Sequence, residues 1–164
     1  MTDSRKPFQI IADLAENYGR LTDDGVLAAL AAIPPLVDES DPSWREMAYW
    51  HQVAYPYVAL WDVVAERRLR AAIPMILDRA CFGDPGEIMR GVRHTLEAIV
   101  NPDWDALVGP CVAALSSPRA GTRMWAADVL GPLCDPAAAE ALERATRDPV
   151  AEVRKNASRA LARL

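Results

Sequence analysis

Aromatic side chains that could bind a ligand or a partner are concentrated in one short stretch of the chain. Six of the 11 aromatic residues lie between positions 44 and 61. At helical spacing, Trp50, Tyr57 and Trp61 share one face, which is typical of core packing. A second face of the same stretch carries Trp44, Met47, His51 and Tyr55. A helix with two apolar faces is either enclosed or presents a binding surface, so this second face is a candidate pocket for a planar ligand or a partner.

Residue types that support catalysis or metal binding are present, but their spacing does not favour either. The two histidines, His51 and His94, have no His or Cys three or four positions away, as a metal site would require. Cys81, Cys111 and Cys134 are widely spaced among apolar neighbours, which indicates buried, reduced thiols. The glycines are scattered singly, so no phosphate-binding loop is indicated. We therefore expect no enzyme activity, no cofactor and no metal.

Charge is distributed unevenly around the net value of −5. Residues 1–62 contain 10 acidic and 4 basic side chains, whereas residues 141–164 contain 6 basic and 3 acidic ones. An acidic half repels phosphate backbones, so nucleic-acid binding is disfavoured, and it could attract a basic protein. The candidate acidic patch consists of Asp23, Asp24, Asp38, Glu39 and Asp41.

The secondary-structure elements that position these residues are predicted to be helices within one domain. A chain of 164 residues fits a single core, and its richness in Ala and Leu favours helix over strand. Neither a signal peptide nor a membrane-spanning run is apparent, so we expect a cytoplasmic protein. Thr22 is a predicted helix start, and Pro56 is expected to kink or split its helix. Helices are predicted near 7–18, 22–33, 43–66, 70–82, 85–100, 104–115 and 136–146.

The C-terminal third contains an internal repeat with an offset of 31 residues. Ser117 aligns with Asp148, Arg123 aligns with Arg154, and Ala and Leu residues align on either side. Apolar residues in the last segment follow helical spacing from position 150 to position 164. Asp148 is a predicted N-cap there, with Pro149 at the first helical position.

An Asp-Pro start, a Val-Arg pair and an Ala-Leu close resemble the second helix of a HEAT-like repeat of the phycobilin-lyase type. The resemblance is strongest over residues 103–164. It implies an all-α superhelix of stacked antiparallel helix pairs, with about 8–10 helices. Residues 1–164 would form one domain, in which residues 1–66 are divergent helices and residues 67–164 are repeats. Such repeats commonly form an Arg–Asp ladder, for which Arg123, Arg154 and Asp148 are the matching residues.

The resemblance also implies that a partner binds the inner face formed by the second helices. The corresponding positions here are Met124, Asp128, Lys155, Arg159, Glu87 and His94. The leading prediction is a non-enzymatic protein-interaction module of unspecified oligomeric state. Two alternatives stay open: an immunity protein that neutralises a basic toxin such as a nuclease, and a tetrapyrrole-like ligand-binding protein or lyase that uses the aromatic residues. HEAT-like iron hydroxylases use His-Glu dipeptides, and this chain has none.

Overall fold

The described part of the chain is built from helices alone. The computed structural model describes residues 6–37, 40–80 and 92–164. The α-helices are α1 (Pro7–Tyr18), α2 (Asp23–Ala32), the single turn α3 (Met47–Tyr49), α4 (Tyr55–Glu66), α5 (Ile73–Arg79), α6 (Val92–Val100), α7 (Val108–Ala114), α8 (Ala120–Leu133), α9 (Ala139–Ala145) and α10 (Ala151–Leu161). The all-α prediction is confirmed. Within these described ranges, no helix is long and apolar enough to cross a membrane.

Three helix hairpins share the same local design. A short 3-10 turn leads directly into the first helix of each hairpin: Arg70–Ala72 into α5, Trp104–Leu107 into α7, and Pro136–Ala138 into α9. The hairpins are therefore α5–α6, α7–α8 and α9–α10. Because one hairpin cannot bury its apolar face alone, successive hairpins must stack.

The hairpins stack in two layers. In one layer α4 packs on α6, α6 on α8, and α8 on α10, while in the other α5 packs on α7. Each hairpin is closed by contacts such as those of α7 with α8 and of α9 with α10. We call α4, α6, α8 and α10 the inner layer. This arrangement is the predicted superhelix of stacked helix pairs.

The N-terminal helices α1 and α2 pack against α4, and two arginines hold them there. The Arg67 guanidinium donates to the carbonyl oxygens of Gly19 and Leu21, at 2.6 and 2.9 Å, where α1 ends. The Arg79 guanidinium donates to the carbonyls of Ala31 and Ile33, at 2.9 and 3.0 Å, where α2 ends. Each arginine donates to carbonyls at or just beyond the end of a helix, where its charge complements the helix dipole.

The prediction was that Pro56 kinks or splits the aromatic helix, and the structure shows that the helix is not split there. The backbone is extended at Glu46 instead, with ψ at 128°, and it then stays helical from Met47 to the end of α4. A π-helical turn, Trp50–Ala54, precedes the proline, and the Tyr55 N–H bonds to the Trp50 carbonyl five residues back. The wider turn changes the hydrogen-bond register next to the residue that lacks an N–H, so the helix continues.

The predicted contact between Arg123 and Asp148 is present. The Arg123 Nε and Nη2 atoms donate to the two Asp148 carboxylate oxygens at 2.6 and 3.0 Å, and both side chains are largely buried. Arg123 also donates to the Ser117 carbonyl, as Arg154 does to the Asp148 carbonyl 31 residues later. The repeat in sequence is therefore a repeat in hydrogen bonding.

The N-cap assignment of Asp148 is wrong. Val150 is the N-cap residue of α10, with an extended backbone, and the helix begins at Ala151 rather than at Pro149. The Asp148 Oδ1 atom accepts from the Val150 N–H at 2.9 Å and forms a tight turn before the helix. The carboxylate is used for the turn and the ion pair, so it does not cap the first helical turn. By contrast, Thr22 caps α2 as predicted, accepting from the Gly25 N–H at 3.2 Å.

Candidate functional site

A groove of about 170 Å³ opens on the inner layer between α6, α8 and α10. Its floor is made of small apolar residues, Ala127 and Gly131 from α8 and Ala160 from α10. A Cβ atom at Gly131 would lie 3.6 Å from the Cα and Cβ atoms of Ala160, so the two helices approach closely there. The polar side chains that border the groove are Arg93, Asp128, Asn156, Arg159 and Arg163.

The charges around this groove, which we call the arginine groove, are incompletely paired. The Arg93 Nε atom donates to Glu97 Oε1 at 2.8 Å. That bond raises the pKa of Arg93, and the charges of Glu97 and Asp128 add to the effect. No ion pair joins Arg159 or Arg163 to another residue within the described ranges. Arg159 on α10 and Arg163 in the turn that follows α10 therefore have guanidinium donors that no described residue accepts, beside an apolar floor.

A second groove, of about 390 Å³, lies where α4 meets α6. Asp62 and Glu66 of α4 line it together with Ala98 of α6. The inner layer is thus acidic at its α4 end and rich in arginine at its α10 end.

Only some of the predicted inner-face residues meet at the arginine groove. Asp128 and Arg159, which the 31-residue offset aligns, lie together there. Met124 is only 8% exposed and belongs to the core, so it offers little surface to a partner. Lys155 and His94 are exposed but do not line the groove. Glu87 lies outside the described residues.

The sequence reasoning missed Arg93, Asn156 and Arg163. One signal for Arg163 was available, because it follows Arg159 by four positions and the helical spacing of the sequence, which extends to position 164, places both on one face. Arg93 comes from another helix, and it lies near Asp128 only because α6 packs on α8.

The aromatic side chains of the candidate pocket pack on one another. The Trp44 and Trp50 rings lie 4.9 Å apart, and the Trp50 Nε1 atom donates to the Trp44 carbonyl at 2.8 Å. The His51 and Tyr55 rings lie 5.3 Å apart. Tyr55 is only 4% exposed, and burial raises the pKa of its hydroxyl. The rings thus occupy the space that a planar ligand would need.

The candidate pocket also differs from the prediction in its shape. Trp44 lies in the 3-10 turn Pro42–Arg45, which the extended Glu46 separates from the helix, so it does not continue the face of His51. Met47 is 61% exposed, whereas Tyr57 and Trp61 are fully enclosed in the core. The Tyr57 hydroxyl donates to the Ile76 carbonyl at 2.9 Å, which joins α4 to α5.

The described residues of the candidate acidic patch form contacts within the chain or lie at the start of a helix. Asp23 pairs with Arg67 at 3.0 Å, and Asp24 lies in the first turn of α2, where the helix dipole favours an acid. Asp41 accepts from the N–H and hydroxyl of Ser43 at 2.9 and 2.6 Å, and these bonds lower its pKa. Asp38 and Glu39 lie outside the described residues.

Comparison with known proteins adds one finding to this geometry. Residues 90–162 match the family model for HEAT repeats. This segment of the chain is similar to HEAT repeats. The match includes α6 to α10 and all residues of the arginine groove, and it begins upstream of residue 103, where the resemblance in sequence weakens. No curated protein and no solved structure matches the chain.

Proposed function

We propose that this protein is a non-enzymatic interaction module that binds another protein through the arginine groove. HEAT repeats are generally protein-interaction scaffolds, and the groove lies within the matched segment. The observation that carries the proposal is that two guanidinium groups beside an apolar floor, Arg159 and Arg163, have no ion-pair partner among the described residues. Such donors can form charged hydrogen bonds with a partner that covers them. Arginines that already form ion pairs within the chain would gain little binding energy in this way.

The scaffold suits this role because it holds the groove in place before binding. The floor is formed where α8 and α10 pack most closely, and the Arg123–Asp148 pair ties the start of α10 to α8. A preformed groove avoids much of the ordering cost that a flexible surface incurs on association. A partner that enters it touches three successive repeats at once.

Neither alternative function has an observation in its favour. Among the described acids of the candidate toxin-binding patch, Asp23 pairs with Arg67, Asp24 lies in the first turn of α2 and Asp41 caps a 3-10 turn. The aromatic rings of the candidate ligand pocket fill their own space. We therefore propose protein binding alone.

Site-specific photocrosslinking in cells that make the protein tests it. A benzophenone amino acid would replace Asn156 in the groove, and in a matched control it would replace Glu143, which is exposed on the opposite-layer helix α9. We expect position 156 to trap a discrete protein that position 143 does not trap. The proposal fails if both positions give the same products, or if position 156 gives none.

A further inference from the structure

We infer that the arginine groove accepts a carboxylate side chain from an acidic segment of the partner protein. The inference rests on the proposed function and names the chemistry of what is bound. Arg159 and Arg163 would hold the carboxylate, and Arg93 would add positive charge from the neighbouring helix.

The size of the groove favours a single side chain. Its volume of about 170 Å³ is the space of roughly six water molecules. Drug-sized ligands and cofactors occupy pockets of about 300–1,000 Å³, so the groove is too small for them. It can enclose a Glu or Asp side chain, whose methylene groups would lie on Ala127, Gly131 and Ala160.

The charges favour an anion, and the geometry favours a carboxylate. Arg93, Arg159 and Arg163 supply three positive charges, against Asp128 at the rim and Glu97 on Arg93. A planar guanidinium matches the two oxygens of a carboxylate with paired hydrogen bonds. Arg159 lines the groove from α10 and Arg163 lines it from the turn that follows α10, so both can reach the same group.

A nucleic acid is a poorer occupant than an acidic protein. The net charge is −5, and the adjoining groove carries Asp62 and Glu66, so a phosphate backbone that followed the inner layer would be repelled. An acidic segment of a protein can instead place its carboxylates over α8 and α10 and a neutral or basic residue over α4.

The test is an NMR titration of the full chain, read at the Nε–H signals of its arginines at physiological salt. The probes are a nine-residue alanine peptide that contains four glutamates, its glutamine counterpart, a phosphoserine counterpart and a single-stranded oligonucleotide. We expect the glutamate peptide to shift the Arg159 and Arg163 signals saturably. The Arg154 signal, which comes from a side chain outside the groove, should stay in place.

Three variants, each of which removes one charge, separate the groove from general electrostatics. Arg159→Gln should weaken binding of the glutamate peptide by about 10-fold or more, the value of a lost charged hydrogen bond. Lys155→Gln removes the same charge from the same helix outside the groove, and it should change binding by less than about twofold. Asp128→Asn removes a repelling carboxylate, so it should tighten binding. Circular dichroism confirms that each variant is folded.

Several results would overturn the inference. These are equal binding of the glutamine peptide, equal losses in Arg159→Gln and Lys155→Gln, or no saturable shift. Binding of the phosphoserine peptide or the oligonucleotide at least about 10-fold tighter than that of the glutamate peptide would replace the carboxylate with a phosphate. If position 156 still crosslinks a partner after such a result, the proposed function stands and only the carboxylate chemistry is wrong.

Discussion

The Arg123–Asp148 ion pair joins the last two hairpins, and its removal tests how much this contact contributes to stability. Both side chains are largely buried, at 13% and 8% exposed, and two hydrogen bonds connect them. Asp148→Ala would leave the Arg123 guanidinium without its carboxylate and would remove the acceptor of the Val150 N–H. Breaking a buried pair from one side costs about 3–5 kcal/mol. We expect about 3 kcal/mol, because Arg123 keeps its bonds to the Ser117 and Pro118 carbonyls.

Urea unfolding at neutral pH measures this loss as a lower midpoint with an unchanged slope. Glu140→Ala is the matched control, because it removes an acid from an exposed pair with Arg144, and we expect a change below about 0.5 kcal/mol. The double-mutant cycle of Arg123→Ala and Asp148→Ala gives the coupling energy of the pair. Equal losses in Asp148→Ala and Glu140→Ala would refute the claim that burial makes the first pair stronger.

The same pair predicts a pH dependence whose sign follows from the pKa of Asp148. The hydrogen bond from Arg123 is the largest cause that holds this pKa below its ordinary value of 3.8. Because the folded pKa is lower than the unfolded pKa, the stabilisation is complete well above pH 3.8 and is lost as the pH falls toward the folded value. The difference in unfolding free energy between the wild type and Asp148→Asn should therefore shrink in acid. A difference that is constant down to the lowest pH at which both proteins fold would contradict this reasoning.

Three further predictions concern single side chains. Arg68 has a left-handed backbone, with φ at 55°, after the end of α4, so Arg68→Gly should raise the unfolding free energy by about 1 kcal/mol in urea titrations, and a loss would contradict the strain argument. In a Cys81→Ser background, the exposed Cys134 should react quickly with a disulfide reagent. The buried Cys111, whose pKa is raised by burial to about 12, should react only on unfolding. Equal reaction rates of Cys111 and Cys134 would contradict the burial of Cys111. Tyr57→Phe should cost about 1–2 kcal/mol by leaving a buried carbonyl unpaired, and a loss below about 0.5 kcal/mol would mean that this bond contributes little.

Local patterns account for the parts of the fold that were predicted from the sequence. Thr22 caps α2 as predicted because a helix cap depends on neighbours within three residues. The pairing of Arg123 with Asp148 was implied by the resemblance to HEAT-like repeats, in which an Arg–Asp ladder joins successive hairpins. Cys134 was predicted to be buried, but it is exposed. It is the C-cap of α8 and has a left-handed backbone, and apolar neighbours in sequence do not determine which way the chain turns at a helix end.

Other features were decided by tertiary packing. Pro56 is tolerated because a π-helical turn and the buried contacts of α4 keep the helix continuous, and no local rule weighs these against a missing N–H. Met124 turns to the core while Arg163 reaches the groove, because helix rotation is set by the neighbouring layer.

The sequence by itself determined the helices, their repeat and the charge balance of the chain, since each is a property of residues a few positions apart. Only the tertiary structure decided that Arg93, Asp128, Arg159 and Arg163 border one groove with an apolar floor. These residues come from α6, α8, α10 and the turn that follows α10. Their meeting depends on the stacking of the three helices, in which Gly131 and Ala160 allow close approach. The physical reason is that a binding surface is formed by distances between helices, and these depend on side-chain packing across the whole layer.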